Sequence, residues 1–127
     1  MRKRNKPKAV YTPEEREIIL AIKQAVCKIY EITERDLLTN VSYSIAYLRF
    51  YCFWLLMRNT YIKDYAIAEA FGKTRSTVNY GVEQVDSQKD VYQETLKQLK
   101  MIAETANKSE NKKYAWVLRL NSMSSRP

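Results

Sequence analysis

The stretch "IAEAFGKTRSTVNY", residues 67–80, decides the fold of this chain. It contains Gly72, one of only two glycines among 127 residues. Apolar residues at helical spacing precede this glycine, and the basic, hydroxyl-rich run "KTRST" follows it. Glycine permits the left-handed turn that ends a helix, and Thr74 is a good N-cap for the next one. The pattern therefore predicts two helices joined by a tight turn.

The rest of the chain also predicts helices. Thr12 and Glu15 form a capping box for a first helix that runs to Tyr30, and Thr33 opens a short second helix. A third helix, about residues 44–58, is apolar nearly all round, so we expect it to be the buried centre of a bundle. Its aromatic residues, Trp54 included, are expected in the core rather than on a base-stacking platform. The predicted fold class is all-α, a five- to six-helix bundle containing a helix-turn-helix.

Two local expectations concern the later part of the bundle. A sixth helix is predicted over about residues 90–106, with an inner face that consists of Val91 or Tyr92, Leu96, Leu99 and Ala103. Cys27 and Cys52 lie within apolar helical patterns and belong to no CxxC, so we expect buried free thiols.

The charge of the chain is unevenly distributed. Its formal net charge is +8, but residues 1–8 carry +5 and residues 107–127 carry +4, which leaves −1 for the body between them. Basic arms of this kind grip phosphate backbones, or they only keep a small protein soluble. We therefore divide the chain into a basic N-terminal arm (residues 1–11), a helical domain (residues 12–106) and a basic C-terminal tail (residues 107–127).

The C-terminal tail contains an unexpectedly apolar segment, "YAWVLRL", which begins at Tyr114 and ends at Leu120. It follows the polar linker "NKSENKK". The segment could dock on the bundle, contact a protein partner or extend a helix, and the sequence does not choose among these.

The composition does not indicate an enzyme. The chain has no histidine, no GxxxxGK[ST] phosphate loop and no cluster of metal ligands in sequence, so we expect neither a catalytic site nor a metal or cofactor. The longest apolar run, residues 43–57, is too short to span a bilayer and contains Arg49. We expect a cytoplasmic, nucleoid-associated protein without a membrane segment.

A short helix, a glycine turn and a second helix with a polar start are typical of a helix-turn-helix. Ile67, Phe71 and Val78 would hold the pair against the body. The candidate DNA-binding residues then lie around the start of the second helix, where arginine can fork onto guanine, asparagine onto adenine, and hydroxyls onto either. They are Lys73, Thr74, Arg75, Ser76, Thr77, Asn79 and Tyr80.

Basic residues elsewhere complete the predicted DNA-binding set. Arg49 is the single charge inside the third helix, and either its stem lies on the core with its head in water or it reaches for a phosphate. The arm contributes Arg2, Lys3, Arg4 and Lys6.

From about Ile22 to Asp86 the chain resembles the C-terminal DNA-binding domain of the bacterial replication initiator DnaA. "VCKIYEITERDLLT", residues 26–39, resembles that family's opening helix, turn and short helix, and residues 67–86 resemble its signature. Gly81 falls where the family keeps alanine. The resemblance implies an all-helical fold with a Trp-repressor-like helix-turn-helix. It also implies double-stranded DNA as the ligand, bound by the second helix of the motif.

The chain departs from the family's pattern in three respects. One residue of the signature is missing, and its aspartate and histidine positions fall on Thr74 and Arg75. Tyr47 falls where a groove-reading arginine would sit, in a stretch whose only basic residue is Arg49. No ATPase module accompanies the domain. We therefore do not expect the initiator's base preference, and the basic arm could substitute for the missing arginines.

The sequence thus predicts a double-stranded DNA-binding protein that reads a specific site, as a transcriptional regulator or a replication accessory factor. The alternative is a protein–protein interaction module that keeps the fold and has lost specific DNA recognition. The near-neutral body, the missing arginines and the apolar segment at residues 114–120 are the features that favour this alternative.

Deleting residues 2–8 should weaken binding to all DNA sequences alike, because phosphate contacts carry no sequence information. With roughly three to five phosphates contacted, the log–log slope of affinity against salt should fall by roughly 3 to 4.5. A chain whose arm is replaced by a neutral sequence of equal length is the matched control, and it should behave like the deletion. Unchanged affinity and slope would make the arm a solubility tail and favour the interaction module.

Overall fold

The computed structural model describes residues 10–108, and residues 1–9 of the arm and 109–127 of the tail lie outside the described part. Within it the chain is all-helical, with 80% of residues in helices and no strand. The predicted all-α bundle is confirmed. The six helices are α1 (Pro13–Tyr30), α2 (Glu34–Thr39), α3 (Tyr43–Asn59), α4 (Asp64–Phe71), α5 (Arg75–Lys89) and α6 (Gln93–Asn107).

Side-chain caps fix the starts of the first two helices. The backbone N–H of Thr12 donates to Oε1 of Glu15 over 2.9 Å, and the N–H of Glu15 donates to the Thr12 hydroxyl over 3.1 Å. This is the reciprocal capping box that the sequence predicted. Thr33 caps α2 by accepting from the N–H of Asp36 over 3.0 Å. Such caps satisfy amides that have no partner within the helix.

Helix α3 lies at the centre of the bundle and packs against each of the other helices. Five consecutive residues, Cys52 to Leu56, are fully buried. The burial of Trp54 is therefore confirmed, and its indole N–H donates to Oδ1 of Asp86 on α5 over 2.7 Å. The other oxygen of Asp86 accepts from Arg58, so one carboxylate ties the end of α3 to α5.

Helix α5 crosses α3 closely at Gly81. A Cβ atom placed there would lie 2.5 Å from Cδ1 of Phe50 and 2.9 Å from Cδ2 of Phe53. These separations are well below van der Waals contact, so the two phenylalanine rings occupy the space that a side chain would need. The glycine at this position is explained by close packing between the helices rather than by its backbone angles.

A buried lysine joins α1, α2 and α4. The Lys23 ammonium donates to the carbonyl oxygen of Ala70 over 2.9 Å and lies 3.4 Å from Oε2 of Glu34. It also lies 4.9 Å from the centre of the Phe71 ring. A cation at the carbonyl end of a helix is favourable because the helix dipole is negative there. This contact holds the C-terminal end of α4 against the body.

The structure corrects the predicted start of the sixth helix. Helix α5 continues to Lys89, and the carbonyl of Gln88 then accepts from the N–H groups of Val91 and Tyr92 in a tight turn. Both side chains are exposed, and α6 begins at Gln93. Leu99 and Ala103 are buried as predicted, whereas Leu96 is only half-buried. The buried face consists of Thr95, Leu99, Ile102, Ala103 and Ala106.

Both cysteines are free thiols. Cys52 is buried as predicted, and burial raises the pKa of its thiol. Cys27 is only half-buried, so the prediction of burial is wrong for that residue. It lies at the edge of the buried face of α1 and packs against the core.

Gly81→Ala should destabilise the protein. Alanine is the better helix former by about 1 kcal/mol, but overpacking against Phe50 and Phe53 costs about 1–3 kcal/mol. We expect a lower midpoint of thermal unfolding, measured by circular dichroism. Ser87→Ala, at an exposed position on the same helix, is the control and should change stability by less than about 0.5 kcal/mol. A stabilised Gly81→Ala variant would show that the helices separate without penalty.

Candidate nucleic-acid interface

Helices α4 and α5 are connected by three residues. Gly72 adopts the left-handed conformation with φ of 66° and ends α4, as the sequence predicted. The N–H of Lys73 then donates to the Ala68 carbonyl over 2.9 Å. Apart from Gly72 itself and its two chain neighbours, no atom lies within 4 Å of the position that a Cβ on Gly72 would take. Glycine is thus favoured here by its backbone angle alone, since other residues rarely adopt positive φ.

The first turn of α5 uses two of the predicted hydroxyls locally. The Thr74 hydroxyl accepts from the N–H of Thr77 over 3.1 Å and lies 3.0 Å from the Thr77 hydroxyl. Thr74 is thus the N-cap that the sequence predicted, and Thr77 is half-buried. Ser76 is exposed and has no side-chain partner among the described residues. It is the hydroxyl of this turn that is available to a ligand.

A shallow, open groove runs along the outer face of α5. Five residues of the predicted set line it together with Glu83, which sequence reasoning missed. Glu83 lies one helical turn beyond Asn79, so the helical period would have placed it on the same face. Its carboxylate makes the groove less basic than the predicted DNA-binding residues alone would make it. The lining residues are Thr74, Arg75, Ser76, Asn79, Tyr80 and Glu83.

Asp64, the first residue of α4, is the second residue that sequence reasoning missed. Its Oδ2 accepts from Nδ2 of Asn79 over 2.9 Å, and its Oδ1 lies 3.4 Å from Nε of Arg75. Asn79 is accordingly half-buried rather than facing fully outward, which corrects the expectation for that residue. Arg75 is 68% exposed at its side chain despite the ion pair. The sequence offered no signal for this contact, because the two helices must first pack.

The hydrogen bond from Asn79 lowers the pKa of the Asp64 carboxyl below its usual range. The nearby Arg75 cation acts in the same direction, and partial burial opposes both. Asp64 is therefore ionised at neutral pH. A fixed negative charge at the start of α4 therefore lies beside the exposed arginine at the start of α5.

The structure places Arg49 differently from both expectations. Its guanidinium is buried, and Nη1 donates to the carbonyls of Leu37 and Asn40, each over 2.8 Å. These carbonyls lie at the C-terminal end of α2, where a cation is favourable. Arg49 is neither directed into water nor extended toward a phosphate. It holds α2 onto α3, and we remove it from the candidate interface.

Aromatic residues of α3 flank the groove. The Tyr80 ring packs edge-on against Phe50, with ring centres 5.8 Å apart. The Tyr47 hydroxyl accepts from Nε2 of Gln88 over 2.7 Å and donates to Oε1 of Gln84 over 3.3 Å. Burial raises the pKa of Tyr47 to about 12, so this side chain is neutral. At the position where the resemblance implied a groove-reading arginine, the chain has a contact between helices.

The remaining predicted residues fall in two groups. Lys73 is half-buried in the connection between α4 and α5. The four arm residues lie outside the described part of the chain, as does the apolar segment at residues 114–120. The arm residues are Arg2, Lys3, Arg4 and Lys6.

Among residues 10–108, no group of three or more histidine, cysteine, aspartate or glutamate side chains is placed to hold a metal ion. No helix in that range is long and apolar enough to cross a bilayer.

Comparison with known proteins found no relative of this chain. No family model, no curated protein sequence and no solved structure matches the chain. The resemblance to the DnaA domain therefore stays a sequence-based expectation.

Asn79→Ala should raise the pKa of the Asp64 carboxyl toward its ordinary value of 3.8, because the lost hydrogen bond favours the ionised form. A carboxyl-detected NMR titration of both proteins measures this shift. Because the folded-state pKa is lowered, the stability that Asp64 contributes is present above the unfolded-state pKa. It is lost as the pH falls through the folded-state value. Ser76→Ala is the control and should leave the titration of Asp64 unchanged. Equal midpoints in wild type and Asn79→Ala would contradict the contact.

Proposed function

We propose that the protein binds double-stranded DNA and reads a specific site with the N-terminal half of α5, in a helix-turn-helix formed by α4 and α5. The regulator and the replication accessory factor are both compatible with this activity. The observation that carries the proposal is the exposed, polar start of a helix whose opposite face is locked to α3 and α4.

The locked face supports the proposal because a reading helix must keep its register in a groove. Val78, Gly81, Val82 and Val85 are buried against the body. The close approach of Gly81 to the rings of Phe50 and Phe53 leaves little freedom for α5 to rotate about its axis. A rigid element presents side chains to base edges with less entropy lost on binding than a loop would lose.

The exposed side chains support it through their chemistry. Arg75 has a forked set of donors suited to guanine, Ser76 has a free hydroxyl, and Tyr80 is 55% exposed at the edge of the groove. The amides of the first turn of a helix favour phosphate oxygens. These groups lie on one face within the first two turns of α5, and a recognition helix contacts base edges with its N-terminal residues.

The charges near the groove limit how tightly the described part can bind. Lys73 and Arg75 are opposed by Asp64 and Glu83, so the groove alone supplies little electrostatic attraction. A protein of this design needs phosphate contacts from elsewhere, and the basic arm is the part of the chain that has the charge to make them.

Selection of random-sequence duplex DNA by the purified chain tests the proposal, and enrichment of a motif is the expected result. Arg75→Ala should then weaken binding to the enriched site by about 1–3 kcal/mol and change binding to random DNA much less. The fold should be unchanged, because the side chain of Arg75 is exposed. Competition binding at fixed salt measures both affinities.

Lys100→Ala is the charge-matched control. It removes one positive charge from an exposed position on α6, the helix that packs mainly against α1. It should reduce binding to both kinds of DNA slightly and equally. An equal loss on enriched and random DNA in Arg75→Ala would assign Arg75 to phosphate. Failure of the wild type to enrich any motif would sink the proposal and favour the interaction module.

A further inference from the structure

We infer that Asp64 is a specificity-determining residue, and that it sets the groove of α5 to read a guanine together with a neighbouring base that carries an exposed amino group, cytosine or adenine. The inference rests on the proposed function and names the class of DNA site. It follows from the pattern of hydrogen-bond donors and acceptors that Asp64 leaves available.

The contact with Asp64 fixes the orientation of the Asn79 amide. A carboxylate accepts hydrogen bonds and does not donate them, so the nitrogen of the amide must face Oδ2 of Asp64. The same nitrogen also donates to the carbonyl of Arg75 over 3.0 Å. Both amide hydrogens are therefore used within the protein. Asn79 has only its oxygen, an acceptor, left for a ligand.

This orientation removes the usual role of asparagine in a groove. To recognise adenine, asparagine donates to N7 and accepts from N6 at the same time. While Asp64 holds Asn79, the donor for N7 is engaged. The remaining acceptor fits any exposed amino group, whether N4 of cytosine or N6 of adenine.

Glu83 adds a second acceptor to the same end of the groove. It lies one turn beyond Asn79, and its carboxylate is exposed. Thymine presents a carbonyl and a methyl group in the major groove, and guanine presents only acceptors. A pair of acceptors in this position therefore disfavours thymine and guanine at that base.

Asp64 also orients the guanidinium of Arg75. The carboxylate lies beside Nε, so the edge formed by Nη1 and Nη2 is left free. Parallel donation from that edge matches O6 and N7 of guanine. Arg75 and Asn79 are four residues apart, which is about 6 Å along the helix. The guanine and the amino-bearing base should thus lie within about two base pairs of each other.

The test compares wild type with Asp64→Ala in the same selection from random duplex DNA, followed by competition binding. The wild-type motif should contain guanine with cytosine or adenine within about two positions. In Asp64→Ala the preference for guanine over other bases should fall about fivefold or more, because Arg75 is no longer held. Binding to random DNA should stay equal or become tighter, since a negative charge has been removed.

Two further variants separate specificity from charge and from folding. Glu69→Ala removes a negative charge from an exposed position on the same helix, and it should keep the full preference for guanine. Asp64→Asn keeps the size of the side chain and an acceptor for Asn79. It should relax the preference for guanine and retain the one for the amino-bearing base. Circular dichroism of each variant reports whether it is folded.

The outcomes distinguish the two proposals. An enriched wild-type motif whose discrimination is unchanged in folded Asp64→Ala or Asp64→Asn overturns the role of Asp64 and leaves the proposed function standing. A motif without guanine does the same. Absence of any enriched motif for the wild type overturns the proposed function and this inference with it.

Discussion

The lack of a polar face on α3 is the constraint on which the rest of the structure depends. A helix that is apolar nearly all round is stable in water only if its neighbours cover it on every side. The other five helices do so around residues 52–56, and the groove on α5 is a by-product of that covering, because the side of α5 away from α3 is left outside. The position of Gly81 shows how closely the two helices have to approach.

The elements of the fold that local sequence specifies could be predicted. Capping residues such as Thr12 and Thr74 act on amides three residues away, and Gly72 acts through its own backbone angle. Apolar spacing then identified the buried faces of α4 and α5. The information for these features lies within one or two helical turns, which a single sequence displays directly.

The features that could not be predicted depend on partners brought close by packing. Asp64 and Asn79 are 15 residues apart, and Arg49 meets carbonyls 12 and 9 residues earlier in the chain. A sequence shows that these side chains are polar. It does not show which group becomes the hydrogen-bond partner of each once the helices pack. The start of α6 was missed because the Gln88 carbonyl holds residues 90–92 in a turn, and the apolar pattern does not show such a backbone contact. The sequence identified five of the residues that line the groove, whereas the hydrogen bonds among them could not be predicted.

The two buried cations differ in the length of chain that they close, which has a consequence for the order of folding. Arg49 closes loops of 9 and 12 residues, whereas Lys23 reaches a carbonyl 47 residues ahead. Loop closure costs more entropy as the loop lengthens, and distant contacts form later. The α2–α3 elbow can thus assemble while the chain is still emerging from the ribosome. Docking of α4 on α1 must wait for Ala70, so the α4 side of the groove is completed after the elbow.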